Sequence, residues 1–184
     1  MERDSSSGGS LSVRRATASD AGELARVAAI TFPLACPPST TEQAKADFIA
    51  TVLSPAAFAG YLASPGHILL LASVDGESAG YTMLITGEPH DPDVAAALRR
   101  HPTIELSKVY VMPEHHGGLV ARALMDASVA AARETGAAGM WLGVNNENVR
   151  ANRFYEKCGF EIVGTKKFRL GDVDEEDFVR ERAL

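Results

Sequence analysis

The stretch Val111-Met112-Pro113-Glu114-His115-His116-Gly117-Gly118-Leu119-Val120-Ala121-Arg122 decides the fold. Before it, residues 103–112 read as a long strand stopped by Pro113. After it, residues 117–135 read as a helix, with Val120, Leu124, Ala127 and Ala131 on one face and Gly136 as its C-cap. A strand that runs through a glycine-containing loop straight into a helix leaves backbone N–H groups free at the positive end of the helix dipole. Such a loop is an anion site, and a pyrophosphate is its usual guest. It is not a Walker loop, because no Gly-Lys-Ser/Thr follows, and it is not a GxGxxG fingerprint.

Working outward, residues 11–15 alternate as a short strand, and residues 17–20 supply caps for a helix reaching about Phe32. The Pro- and Thr-containing residues 33–41 read as a loop. Two helices follow over 41–53 and 54–62, the second with Ser54 as N-cap and Pro55 in its first turn. Strands at 68–74 and 78–85 flank Asp75-Gly76, a strong hairpin signal. A loop at 87–93, a short helix at 94–100, a buried strand at 140–144 and a helix at 148–157 ended by Gly159 complete most of the chain. Strands at 160–169 and 178–182 close it, around an acidic turn at 171–177. The predicted fold is a mixed α/β (α+β) sheet with helices, not a pure βαβ alternation.

The 184 residues suit a single domain over 11–184, preceded by a flexible polar tail at 1–10. The 18 Lys+Arg against 24 Asp+Glu give a net charge of -6, which disfavours nucleic acid and anionic membranes as partners. No apolar run approaches the about 20 residues of a membrane span. Cys36 and Cys158 are too few for a disulfide framework or a zinc site, and a reducing cytoplasmic setting is expected. His115-His116 are adjacent on a loop without a third ligand, so no metal is expected.

A second stretch, Asn145-Asn146-Glu147-Asn148-Val149-Arg150-Ala151-Asn152-Arg153-Phe154-Tyr155-Glu156-Lys157-Cys158-Gly159-Phe160, puts Asn148 and Tyr155 two helical turns apart on one face. Ala151, Phe154 and Cys158 turn toward the core. Read alone, Tyr155 is a half-buried residue with a satisfied hydroxyl. Together the two stretches resemble the GNAT superfamily of N-acetyltransferases. His116-Gly117-Gly118-Leu119-Val120-Ala121 lies in register with that family's Gln/Arg-x-x-Gly-x-Gly/Ala loop, with His116 in place of Gln or Arg and Leu119 in place of the first glycine. Gly118 is expected to take up the bend that Leu119 resists. Residues 164–172 followed by Asp177 resemble a spermidine/spermine acetyltransferase-like branch.

The resemblance implies a mostly antiparallel central sheet and acetyl-CoA as co-substrate. It implies that Val109, Tyr110 and Val111 align the pantetheine arm. His116, Gly117, Gly118, Leu119, Val120, Ala121 and Arg122 would then surround the pyrophosphate, with Arg122 either a cation there or an exposed helix arginine. Asn148 would touch the cofactor, and Tyr155 would protonate the departing thiolate. Glu105, either base or solvated carboxylate, is expected to share a face with Ser107, Val109 and Val111. The implied reaction is direct acetyl transfer to a primary amine through a tetrahedral intermediate, with a small amine or polyamine as acceptor. A protein N-acetyltransferase and a weakly catalytic CoA-binding regulatory module, suggested by Leu119, are the alternatives. The acidic residues 172–177 would either attract a cationic amine or form a solvated turn. Residues 31–54 and 87–92 are expected to wall the acceptor pocket, and a homodimer through edge strands is expected.

Overall fold

The computed structural model describes residues 9–184. The first eight residues of the expected tail lie outside them. Seven strands form one sheet: β1 (Leu11–Arg15), β2 (His67–Val74), β3 (Glu77–Thr86), β4 (Thr103–Val111), β5 (Gly139–Asn145), β6 (Glu161–Leu170) and β7 (Val173–Ala183). Their order is β1-β2-β3-β4-β5-β7-β6. Every neighbouring pair is antiparallel except β4–β5, as expected of the resembled fold.

The helices are α1 (Ala21–Ala35), α2 (Glu42–Val52), α3 (Pro55–Ala63), α4 (Pro92–Ala97), α5 (Leu119–Glu134) and α6 (Val149–Lys157). They cover both sheet faces. On one face Leu24, Val27, Phe32 and Phe58 of α1 and α3 pack on Leu69, Leu71, Tyr81 and Met83. On the other, Val120, Leu124, Met125 and Val129 of α5 pack on Leu70, Leu84, Ile104, Leu106 and Leu142. The strands buried on both faces are those whose sequence reads as continuous apolar runs.

Local chemistry sets most boundaries. Asp75 (φ 52°) and Gly76 (φ 85°) both take positive φ, the conformation of a type I′ hairpin turn. Thr41, Ser54 and Asn148 cap α2, α3 and α6 by accepting from Ala44 N, Ala57 N and Ala151 N. Asp91 caps α4, with Pro92 in its first turn, so that helix starts two residues earlier than its apolar pattern suggests. Helix α1 runs past Pro33 to Ala35, where a loop was expected. Phe32 is held there by stacking on Phe48 at 4.5 Å, and tertiary packing overrides the proline signal.

The acidic run is strand rather than turn. Only Gly171 and Asp172 lie between β6 and β7. Lys166, Lys167 and Arg169 on β6 stand opposite Asp177, Glu176 and Asp174 on β7, so cross-strand charge pairing absorbs the acidic residues into the ladder.

Candidate active site

Strands β4 and β5 pair over only three rungs, Thr103–Gly139, Ile104–Met140 and Glu105–Trp141. Beyond them β4 stays with β3 as far as Val111, while β5 follows β7 as far as Asn145. The strands therefore part, and among the described residues the β5-facing edge of β4 has no strand partner beyond Glu105.

A bulge reshapes β4 at the same place. Met83 stands opposite Lys108 and Leu84 opposite Leu106, which leaves Ser107 as the extra residue. Ile104 and Leu106 before it, and Val109 and Val111 after it, pack on the α5 side. Tyr110 packs on the α1 side, against Tyr81 at 5.7 Å. The expected shared face of Glu105, Val109 and Val111 is therefore corrected. The extra residue reverses the alternation, and Glu105 lies on the face of Lys108 and Tyr110.

Two cavities open where the strands part. The larger, about 660 Å³, is lined by Val109, Tyr110 and Val111 of β4, the loop His116-Gly117-Gly118, Ala121, and most of α6 between Val149 and Lys157 except Asn152 and Glu156. The smaller, about 270 Å³, holds Glu105, Ser107, Lys108, Gly143, Lys166, Glu175 and Asp177 beneath Phe32, Phe48 and Phe168. They share Ala35, Val109, Tyr110, Asn148, Ala151 and Tyr155 as common walls.

In the loop, Gly117 (φ +72°) takes the left-handed bend, not Gly118, which caps α5 in extended backbone. Its N-cap, Gly118, has no side chain to cap this helix end, which leaves the first N–H groups available. His116 Nε2 donates to Val111 O at 2.8 Å and ties the loop to the end of β4. Leu119 is helical and 77% exposed, and it does not line the cavity. Two further expected contacts are also absent from the lining. Val120 is buried in the core, where the apolar face of α5 demands it, and Arg122 is paired with Asp126 at 3.1 Å, the i,i+4 partner that draws it along the helix surface.

On α6, Asn148 spends its Oδ1 on the helix cap, while its side of the helix faces both cavities. Burial pushes the Tyr155 phenol above its ordinary value, with Cys158 adding to the effect. The helix is anchored from beneath. Buried Arg180 donates to Asn152 Oδ1 and Phe160 O, and Asn152 Nδ2 donates to Asn145 O and Asn148 O.

In the smaller cavity, burial raises the Glu105 carboxyl against the opposing influence of Lys166 and Lys108, and burial lowers the Lys108 ammonium. Lys166 crosses β7 from the edge strand and lies over Gly143, its Nζ 3.7 Å from Asp177 Oδ2 and 5.5 Å from the Phe168 ring centre. Of the expected pocket walls, residues between Thr31 and Phe48 take part. The 87–92 loop lines neither cavity, because Thr86 pairs with Ile104 and the loop leaves from the far end of β4.

Sequence reasoning missed Lys108, Lys166 and Gly143 in the smaller cavity, and Arg150, Arg153 and Lys157 at the larger. The three basic residues recur at i, i+3 and i+7, a period that was open to reading. A lone glycine in the apolar strand around Gly143 signalled close approach of another group. Nothing local marked Lys166.

Residues 34–160 match the acetyltransferase (GNAT) family. An uncharacterized N-acetyltransferase of Mycobacterium tuberculosis is 48% identical over 165 residues, covering 90% of this chain and 98% of its own. The chain belongs to the acetyltransferase (GNAT) family. A second relative, an uncharacterized N-acetyltransferase of Lactobacillus delbrueckii subsp. lactis, is 29% identical over 76% of this chain and 78% of its own. Among solved structures, the PaiA N-acetyltransferase from Thermoplasma acidophilum in complex with coenzyme A has the same fold. Its TM-score is 0.76, at 19% identity over 95% of this chain and 99% of that one. As a GNAT member the chain is an N-acetyltransferase. No single helix among the described residues is long and apolar enough to cross a membrane.

Proposed function

We propose that this GNAT enzyme transfers the acetyl group of acetyl-CoA to the primary amine of a small acceptor. The observation that carries the reading is the convergence of two cavities on Tyr155, with Glu105 in the second. The larger cavity suits coenzyme A in its chemistry. Gly117 and Gly118 leave room for a pyrophosphate against the uncapped N-terminus of α5, and Arg150, Arg153 and Lys157 supply cations around a polyanion. The edge of β4 at Val109–Val111, beyond the last β5 rung and with Val111 O taken by His116, offers its remaining backbone groups to an extended amide-bearing arm.

When bound, acetyl-CoA supplies an activated acyl group. Glu105 accepts the proton that the attacking amine must lose, and its raised affinity for protons makes it a better base than an ordinary carboxylate. Tyr155 stays protonated because burial disfavours its phenolate, and it gives its proton to the sulfur as the C–S bond breaks and the C–N bond forms. Among acceptors, the volume of the smaller cavity favours small amines, since small-molecule sites run from about 300 to 1,000 Å³. The free thiols of Cys36 and Cys158 suit a cytoplasmic setting. Calorimetry with acetyl-CoA, followed by thiol-release assays of Tyr155→Phe, tests the reading. Binding should survive the substitution while kcat falls about 10²- to 10⁴-fold. Absence of acetyl-CoA binding by the wild type would sink it.

A further inference from the structure

The charges in the smaller cavity do not all have partners. Asp177 is paired with Lys166. Glu175 accepts from Ser39 Oγ at 3.0 Å and from Asn145 Nδ2 at 3.4 Å. Among the described residues, Glu105 and Lys108 are left without a hydrogen bond or an ion pair within 4 Å, yet both line the cavity. Burial works against the charged form of each, so each gains from an oppositely charged guest. The bulge at Ser107 puts them on one face, about two strand rises or ~7 Å apart, close enough to serve two ends of one small molecule.

We infer that the acceptor is an amino acid with an apolar side chain, its ammonium set against Glu105 and its carboxylate against Lys108. This inference rests on the acetyltransferase reading of the same site and names its substrate class. A polyamine has no group for Lys108 and would set a second cation against it. A monoamine without a carboxylate would leave Lys108 desolvated and unmatched. Three rings form one part of the wall: Phe32 and Phe48 stack at 4.5 Å, and Phe168 stands edge-on to Phe48 at 6.1 Å. That wall suits a flat or branched hydrocarbon side chain. The same placement delivers the amine to Glu105, which takes its proton before attack.

The test compares L-phenylalanine and L-leucine with phenethylamine, L-phenylalaninamide and spermidine in a thiol-release assay. Mass spectrometry identifies the acetylated product, and calorimetry measures acetyl-CoA binding. The expected result is kcat/KM for L-phenylalanine at least tenfold above phenethylamine and phenylalaninamide. Lys108→Met should abolish that preference by raising KM for the amino acids alone, and Lys108→Arg should retain it. Failure of acetyl-CoA to bind overturns the acetyltransferase reading and this inference with it. If acetyl-CoA binds but spermidine or phenethylamine equals the amino acids, or no amino acid is acetylated, this inference alone falls. Equal loss for every acceptor in Lys108→Met also overturns it. The wild-type comparison decides the matter even if that variant fails to fold.

Discussion

Gly143 is a glycine because Lys166 lies across it. A Cβ built at Gly143 falls well inside contact distance of Lys166 Cε, and 3.3 Å from both Lys166 Nζ and Asp177 Oδ2. In Gly143→Ala the lysine must withdraw, because its flexible side chain yields more easily than the strand. Withdrawal opens the 3.7 Å pair with Asp177, whose side chain is only 11% exposed. Burial already raises that carboxyl and Lys166 is the chief influence lowering it, so Asp177 then binds its proton more tightly still. Surface pairs contribute about 0–1 kcal/mol and loss of one partner from a buried pair costs about 3–5. This pair lies between, and Lys166 keeps its charge nearby, so ~1–2 kcal/mol is the reasonable loss. Against it, replacing glycine restricts the unfolded chain and stabilises by about 0.4–1 kcal/mol. The net is ~0.5–1 kcal/mol of destabilisation, or about 1–4 °C in Tm for a domain of this size. Thermal unfolding at pH 7 measures it. The decisive comparison is Gly143→Ala on a Lys166→Ala background, where the main obstruction is gone, only Asp177 Oδ2 at 3.3 Å has to yield slightly, and the destabilisation should shrink to near zero. Equal destabilisation on both backgrounds would refute the account.

Three further outcomes are expected. Glu105→Gln should lower kcat/KM about 10²- to 10⁴-fold. In the wild type kcat/KM should fall with decreasing pH through a carboxyl raised above its ordinary value by burial, and the variant's profile should lack that limb. Asp20 is held below its ordinary value chiefly by the hydrogen bond from Arg14, so its contribution is present above about pH 4 and fades as pH falls through its folded-state value. Urea unfolding of Asp20→Asn should therefore show a deficit at pH 7 that shrinks at pH 2. Asn152→Ala removes the buried acceptor of Arg180 and two donated bonds, one to Asn145 O at the end of β5 and one to Asn148 O at the cap of α6, and it should cost about 2–3 kcal/mol by the same assay. A variant as stable as the wild type would show that the network does not anchor α6.

The sequence by itself determined whatever depends on near neighbours. Asp75-Gly76 dictated its hairpin because two successive positive φ angles are cheap there. Thr41, Ser54 and Asn148 announced helix starts because a cap needs only a side-chain oxygen three residues ahead of a free N–H. The glycine loop before α5 and the Asn148–Tyr155 spacing located the larger cavity for the same reason. Tertiary structure alone decided the rest. Strand alternation placed Glu105 with Val109 and Val111, but register against β3 inserts Ser107 and turns Glu105 toward Lys108. The acidic run looked like a turn until β6 supplied its basic partners. Lys166 enters the smaller cavity from an edge strand 23 positions after Gly143, and no local pattern records that meeting. Periodicity tells a residue which face its own strand would present. The pairing of strands distant in sequence sets where the bulge falls, where β4 and β5 part, and so which charges line the smaller cavity.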